Sequence, residues 1–83
     1  MLGRREGASR ERSAMKISAR NRLKGRIVDV RKGATTAHVS IDINGAIVMA
    51  SITNEAVDEL GLKVGLEAFA IIKASDVMVG TAD

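Results

Sequence analysis

From Thr36 onward the chain alternates without a break: Ala37, Val39, Ile41 and Ile43 stand between Thr36, His38, Ser40 and Asp42. Period two over residues 35–43 marks a strand with one buried and one open face. Asn44-Gly45 follows at once, the dipeptide preferred at the centre of a two-residue type I′ hairpin turn. Such a turn leaves no freedom of register. Ile43 must pair with Ala46, Ile41 with Val48, Val39 with Ala50 and Ala37 with Ile52, all on one face. On the other face Asp42 meets Ile47, Ser40 meets Met49 and His38 meets Ser51. Ile47 and Met49 are out of place on an open face and point to a contact with another subunit.

The segments around this hairpin are also periodic. Residues 23–30 read as a strand whose inward phase switches between Ile27 and Val28: Leu23, Gly25 and Ile27 are odd, Val28 and Val30 even. A phase switch with an interior glycine predicts a β-bulge or barrel corner, and Lys32-Gly33 closes the strand. Residues 53–60 change period: Thr53 or Asn54 caps, Glu55 puts negative charge in the first turn, and Gly61 stops a helix of two turns at most. Residues 67–72 and 77–79 complete the strands, separated by Lys73-Ala74-Ser75-Asp76, and Phe69 is expected in the core. No block recurs, so there is one module. An all-β fold with one short helix follows, a small OB-like five-stranded Greek-key barrel. Strand count alone equally allows an SH3-like barrel.

Residues 1–14 carry four arginines, two glutamates and no apolar periodicity, and read as a disordered basic leader or tag ahead of a domain at residues 15–83. The remaining stretch of about seventy residues makes a marginal core that usually needs help. Disulfides cannot supply it, because the chain has no cysteine, and with one histidine and no thiolate the usual metal-ligand sets are thin. Self-association is the remaining route. The longest apolar runs, at residues 46–50 and 68–72, are too short to span a bilayer or drive secretion, so a cytoplasmic protein is the expectation.

The net charge of +3 is modest but uneven. Lys16, Arg20, Arg22, Lys24, Arg26, Arg31 and Lys32 face only Asp29 in the same stretch. Ser18, Arg20 and Asn21 join a hydroxyl, a guanidinium and an amide with no carboxylate among them. Donors without acceptors suit an oxyanion. Two more donor clusters lie at element ends: Thr53 at the helix start, and Lys73 with Ser75 and the intervening amides. Taken singly, each has a plainer reading, as a strand lead-in, a helix cap and a snorkelling edge lysine.

The stretch Met15-Lys16-Ile17-Ser18-Ala19-Arg20-Asn21 resembles the opening of the molbindins, small molybdate-binding proteins built from a Mop (TOBE-type) domain. The resemblance continues through Lys24-Gly25, Ser51-Ile52-Thr53, Glu59-Leu60-Gly61 and Ile72-Lys73-Ala74-Ser75-Asp76-Val77-Met78. It implies an OB-type barrel that binds molybdate, or tungstate, with no cofactor, assembled as a hexamer that is a trimer of dimers. It also implies that Ser18, Arg20, Thr53, Lys73, Ala74 and Ser75 form the oxyanion site between subunits. Ser18 would give a hydroxyl donor, Thr53 a hydroxyl or helix-end amide donor, Arg20 charge and an orienting donor, Lys73 a second charge, and Ala74 and Ser75 amide and hydroxyl contacts. Ala56 departs from the pattern, standing where a related molybdate-sensing domain carries a serine, so that one donor is either missing or replaced by Asn54.

A nucleic-acid module using the basic stripe from Arg22 to Lys32 is the alternative. Single-strand binders stack bases on aromatic side chains, and this chain has no tryptophan, no tyrosine and one phenylalanine. A phosphate-only contact would be nonspecific and salt-dependent. An enzyme is not expected: there is no cysteine nucleophile, no glycine-rich phosphate loop and no histidine–carboxylate–serine set at workable spacing.

Overall fold

The computed structural model describes residues 18–82. The leader expected over residues 1–14, with Met15, Lys16 and Ile17, lies outside the described residues. Four strands, one α-helix and one 3₁₀ turn follow in order: β1 Asn21–Lys32, β2 Thr36–Ile43, β3 Ala46–Thr53, α1 Asn54–Leu60, β4 Glu67–Ile72 and the turn Ala74–Asp76. The strands form one antiparallel sheet in the order β3-β2-β1-β4.

The β2–β3 hairpin has the register its turn demands, from Ile43 opposite Ala46 to Thr36 opposite Thr53. Asn44 and Gly45 both take positive φ, 52° and 97°, as a type I′ turn requires. The Asp42 carboxylate accepts from the Gly45 N–H at 2.9 Å and braces the turn.

At twelve residues, β1 is long enough to serve two neighbours. Its first half pairs with β4, Asn21 opposite Ile72 through Arg26 opposite Glu67. Its second half pairs with β2, and Arg26, opposite Asp42 as well, is the pivot. The register shifts between Ile27 and Asp29, so the expected bulge is present. Val28 is the extra residue and is exposed, whereas Val30 packs against the core. The inward reading of Val28 is therefore corrected: a bulged residue has no partner to hold it to either face.

The core is small. Ile27, Ala37, Val39, Ile41, Val57 and Ala70 are buried, with Val30, Ile43, Val48, Ile52, Leu62, Leu66 and Ala68 packed around them. α1 covers one end of it through Val57. Thr53 caps that helix, its Oγ1 accepting from the Ala56 N–H at 3.0 Å, and Gly61 ends it at φ 65°. Lys32 Nζ lies 2.6 Å from Asp58 Oδ1 and ties the helix back to the end of β1.

Two expectations change. Residues 77–79 form no strand: the chain leaves the sheet at the 3₁₀ turn, and Met78 and Val79 are 93% and 91% exposed. The described sheet therefore has four strands rather than five, and among the described residues β3 and β4 are its edges. Phe69 is not core either. It is 42% exposed, on the outer face opposite Lys24. Ala68 and Ala70 point inward in its place, opposite Gly25 and Leu23 of β1.

Candidate functional site

Ser18 and Arg20 lie immediately before β1, and Lys73, Ala74 and Ser75 immediately after β4. Because Asn21 pairs with Ile72, the antiparallel ladder brings these two groups to the same end of the sheet. Ala19 is buried between exposed Ser18 and Arg20, so a small apolar anchor holds the lead-in while its polar neighbours face outward. On the other side, the 3₁₀ turn closes with Asp76 N–H donating to Lys73 O at 2.9 Å and Val77 N–H to Ala74 O at 3.2 Å. Those bonds use the later amides of the turn and leave the Ala74 and Ser75 N–H groups outside its internal ladder. Residues carrying two cationic side chains and two hydroxyls, with two backbone amides, thus lie at one sheet end. The carboxylate nearest in sequence, Asp76, is the last residue of the turn.

Thr53 is elsewhere in the same chain. It ends β3, the opposite edge strand, and pairs with Thr36 beside the far end of β1. A twelve-residue strand spans about 35 Å. Within one chain, then, five of the six residues named from the sequence lie at the same sheet end and Thr53 does not. Its oxygen accepts the helix-capping bond, which leaves its O–H proton free to donate. Asn54, the candidate substitute for the missing serine, is turned away: its Nδ2 donates to Gly33 O at 2.9 Å, and its Oδ1 is buried with no hydrogen-bond partner.

Sequence reasoning grouped Asn21 with the anion donors, but the structure gives it another partner. Its Nδ2 donates to Ile72 O at 3.1 Å. The strand starts at Asn21, two residues before the stretch 23–30 read from periodicity, and its pairing with Ile72 is a non-local contact that no local motif announces.

The basic stripe is largely committed within the chain. Lys24 lies 3.6 Å from Glu67, Arg31 3.0 Å from Asp29 and Lys32 2.6 Å from Asp58, and Arg26 donates to Gly65 O at 2.9 Å. A depression of about 290 Å³ opens between Lys24, Gly25, Arg26, Asp42, Asn44 and Glu67. Asp42 and Glu67 on its rim make it a poor seat for a dianion. Among the described residues, no group of three or more histidine, cysteine or acidic side chains is placed to hold a metal cation, and no helix is long and apolar enough to cross a membrane.

An antiparallel sheet with one short helix, and donor residues at its β1–β4 end, is the form of a small OB-like ligand-binding module. Residues 17–79 match the TOBE domain, and the chain belongs to the TOBE domain family. It is 57% identical over 67 residues to the probable molybdenum-pterin-binding protein of Haemophilus influenzae, covering 80% of this chain and 97% of that one. Its fold is similar to that of MopII from Clostridium pasteurianum, with a TM-score of 0.74 and 43% identity, covering 80% of this chain and 100% of that one. It is similar too to a molybdate-binding protein from Sporomusa ovata, with a TM-score of 0.77 and 34% identity over 81% of this chain and 100% of that one.

Proposed function

We propose that this chain binds molybdate, and tungstate by the same chemistry, as a cytoplasmic storage or buffering protein rather than an enzyme. The observation that carries this is the convergence of Ser18 and Arg20 with the Lys73–Ala74–Ser75 turn at one end of the sheet. Relatives named for molybdenum or molybdate binding support it. A tetrahedral dianion exchanges its hydration shell for hydroxyls, amides and two fixed cations, and these donors answer that need.

Thr53 joins the site from a second copy of the chain, so that each site is completed between subunits of a homo-oligomer, a hexamer built as a trimer of dimers. Support for assembly comes from the small core and from the apolar residues left outside it: Ile47 and Met49 are 57% and 64% exposed on the outer face of β3. A thermal-shift panel of molybdate, tungstate, sulfate and phosphate, read with the mass in solution, tests the reading. Molybdate should raise the melting temperature of an oligomer, because a ligand that binds only the folded assembly stabilises it. No shift with any of the four anions would defeat it.

The nucleic-acid alternative gains an exposed aromatic in Phe69, opposite Lys24. Its basic stripe is partly neutralised, since Lys24, Arg31 and Lys32 pair with carboxylates within the chain and Arg26 donates to Gly65 O. Tight gel-shift binding to single strands, with no molybdate effect, would favour it instead.

A further inference from the structure

We propose that Asn21 is the positioning residue of the oxyanion site, orienting the peptide that launches the Lys73–Ser75 turn rather than touching the anion; this rests on the molybdate reading above. Asn21 Nδ2 donates to Ile72 O at 3.1 Å in a partly buried setting. That carbonyl and the Lys73 N–H belong to one planar trans peptide, so gripping the oxygen also sets the direction of the amide on its other side.

The location gives this grip its consequence. Ile72 is the last residue of β4, and past it the chain no longer has the sheet to define its path. The two bonds within the turn, Asp76 N–H to Lys73 O and Val77 N–H to Ala74 O, fix its shape but not its pose on the sheet. The Asn21 side chain fixes the pose, by holding the peptide through which the turn is attached. Asn21 also follows Arg20 directly and opens β1, so one residue sets the relation between the two donor groups. A neutral amide suits the position. It satisfies a half-buried carbonyl without adding charge beside an anion, where an aspartate would set acceptor against acceptor and add repulsion.

The test uses the full-length chain, isotopically labelled, first without ligand and then titrated with sodium molybdate. In Asn21→Ala without ligand, the amide resonances of Lys73, Ala74 and Ser75 should shift, and the Asp76 and Val77 amides, which bond within the turn, should lose exchange protection, while those of Ile27, Val39 and Ile41 stay as they are. Molybdate affinity should fall roughly ten- to a hundredfold, the usual range when a group orienting a binding shell is removed. Asn21→Gln, which keeps the amide donor on a longer arm, should recover part of both effects, and Asn21→Asp should be worse than alanine. Lost affinity with the turn's amides unmoved would overturn the proposal by making Asn21 a direct ligand. Protection lost evenly across the sheet would overturn it by making Asn21 merely structural. Unchanged affinity in Asn21→Ala, with the wild type binding, defeats this proposal alone. If the wild type binds no molybdate, the oxyanion reading falls first and takes this with it.

Discussion

Gly25 and Asp42 are so close that a Cβ on the glycine would stand 2.5 Å from the Asp42 carbonyl oxygen, with Ile43 Cγ1 at 2.8 Å and Ile41 Cγ2 at 2.9 Å. The nearest of these atoms is backbone in a paired strand, which cannot swing aside as a flexible side chain would. Gly25→Ala should therefore destabilise the fold on the order of 3 kcal/mol, at the upper end for overpacking a tight core. Urea unfolding measures it; a loss below about 1 kcal/mol would mean that β1 and β2 separate more easily than their contacts imply.

Thr53 has a structural role that is separable from any ligand. Removing its cap on the Ala56 N–H in Thr53→Ala should cost about 1 kcal/mol, whereas Thr53→Asp keeps a good cap and should leave unfolding nearly unchanged. Equal losses in both variants would show that the capping bond is not what the hydroxyl contributes.

Ile47 and Met49 give the clearest handle on assembly. Both are on the outer face of the hairpin, opposite Asp42 and Ser40, where burial within the chain gains little from them. Ile47→Thr with Met49→Thr should lower the mass seen by sedimentation while the far-ultraviolet circular dichroism is retained. An unchanged mass would place the contact elsewhere.

The ion pair of Lys32 with Asp58 is short but wet, its side chains being 46% and 67% exposed. Solvent screening limits its worth, so Asp58→Asn should cost less than about 1 kcal/mol and the difference should shrink in high salt. A larger cost would make α1 more dependent on that tether than on Val57.

Where the residues alternated, the fold was legible. The hairpin register, the Asn44-Gly45 turn, the bulge after Ile27, the Thr53 cap and the Gly61 stop all follow from local rules acting over a few residues. Glu67–Ile72 resisted, since it is apolar in both phases and periodicity cannot say which side faces in. The choice is made by the pairing with β1, a non-local contact whose register sets Ala68 and Ala70 inward and Phe69 out. Ser40 shows the same limit: it falls in the polar phase of β2 and is nevertheless buried. Residues 77–79 carry an apolar pattern, but a strand also needs a neighbour to pair with, and a single chain's sequence does not say where that neighbour is. In the candidate site, the pairing of Asn21 with Ile72 explains why Ser18 and Arg20 meet residues 73–75, while the distance to Thr53 is a property of the sheet order rather than of any motif.

If Thr53 completes a site begun by Ser18, Arg20 and the Lys73–Ser75 turn of another chain, subunits with complementary defects must rescue one another on mixing. Arg20→Ala should weaken molybdate binding roughly ten- to a hundredfold, the scale of a hydrogen bond to a charged group. Thr53→Asp should abolish it by setting a carboxylate against the dianion. Each variant alone then lacks intact sites. Unfolded together and refolded as a mixture, they should regenerate wild-type affinity at about a quarter of the sites, the statistical share when each site draws on two chains. Calorimetry that finds this high-affinity fraction supports the shared site; a mixture that binds no better than its two components contradicts it.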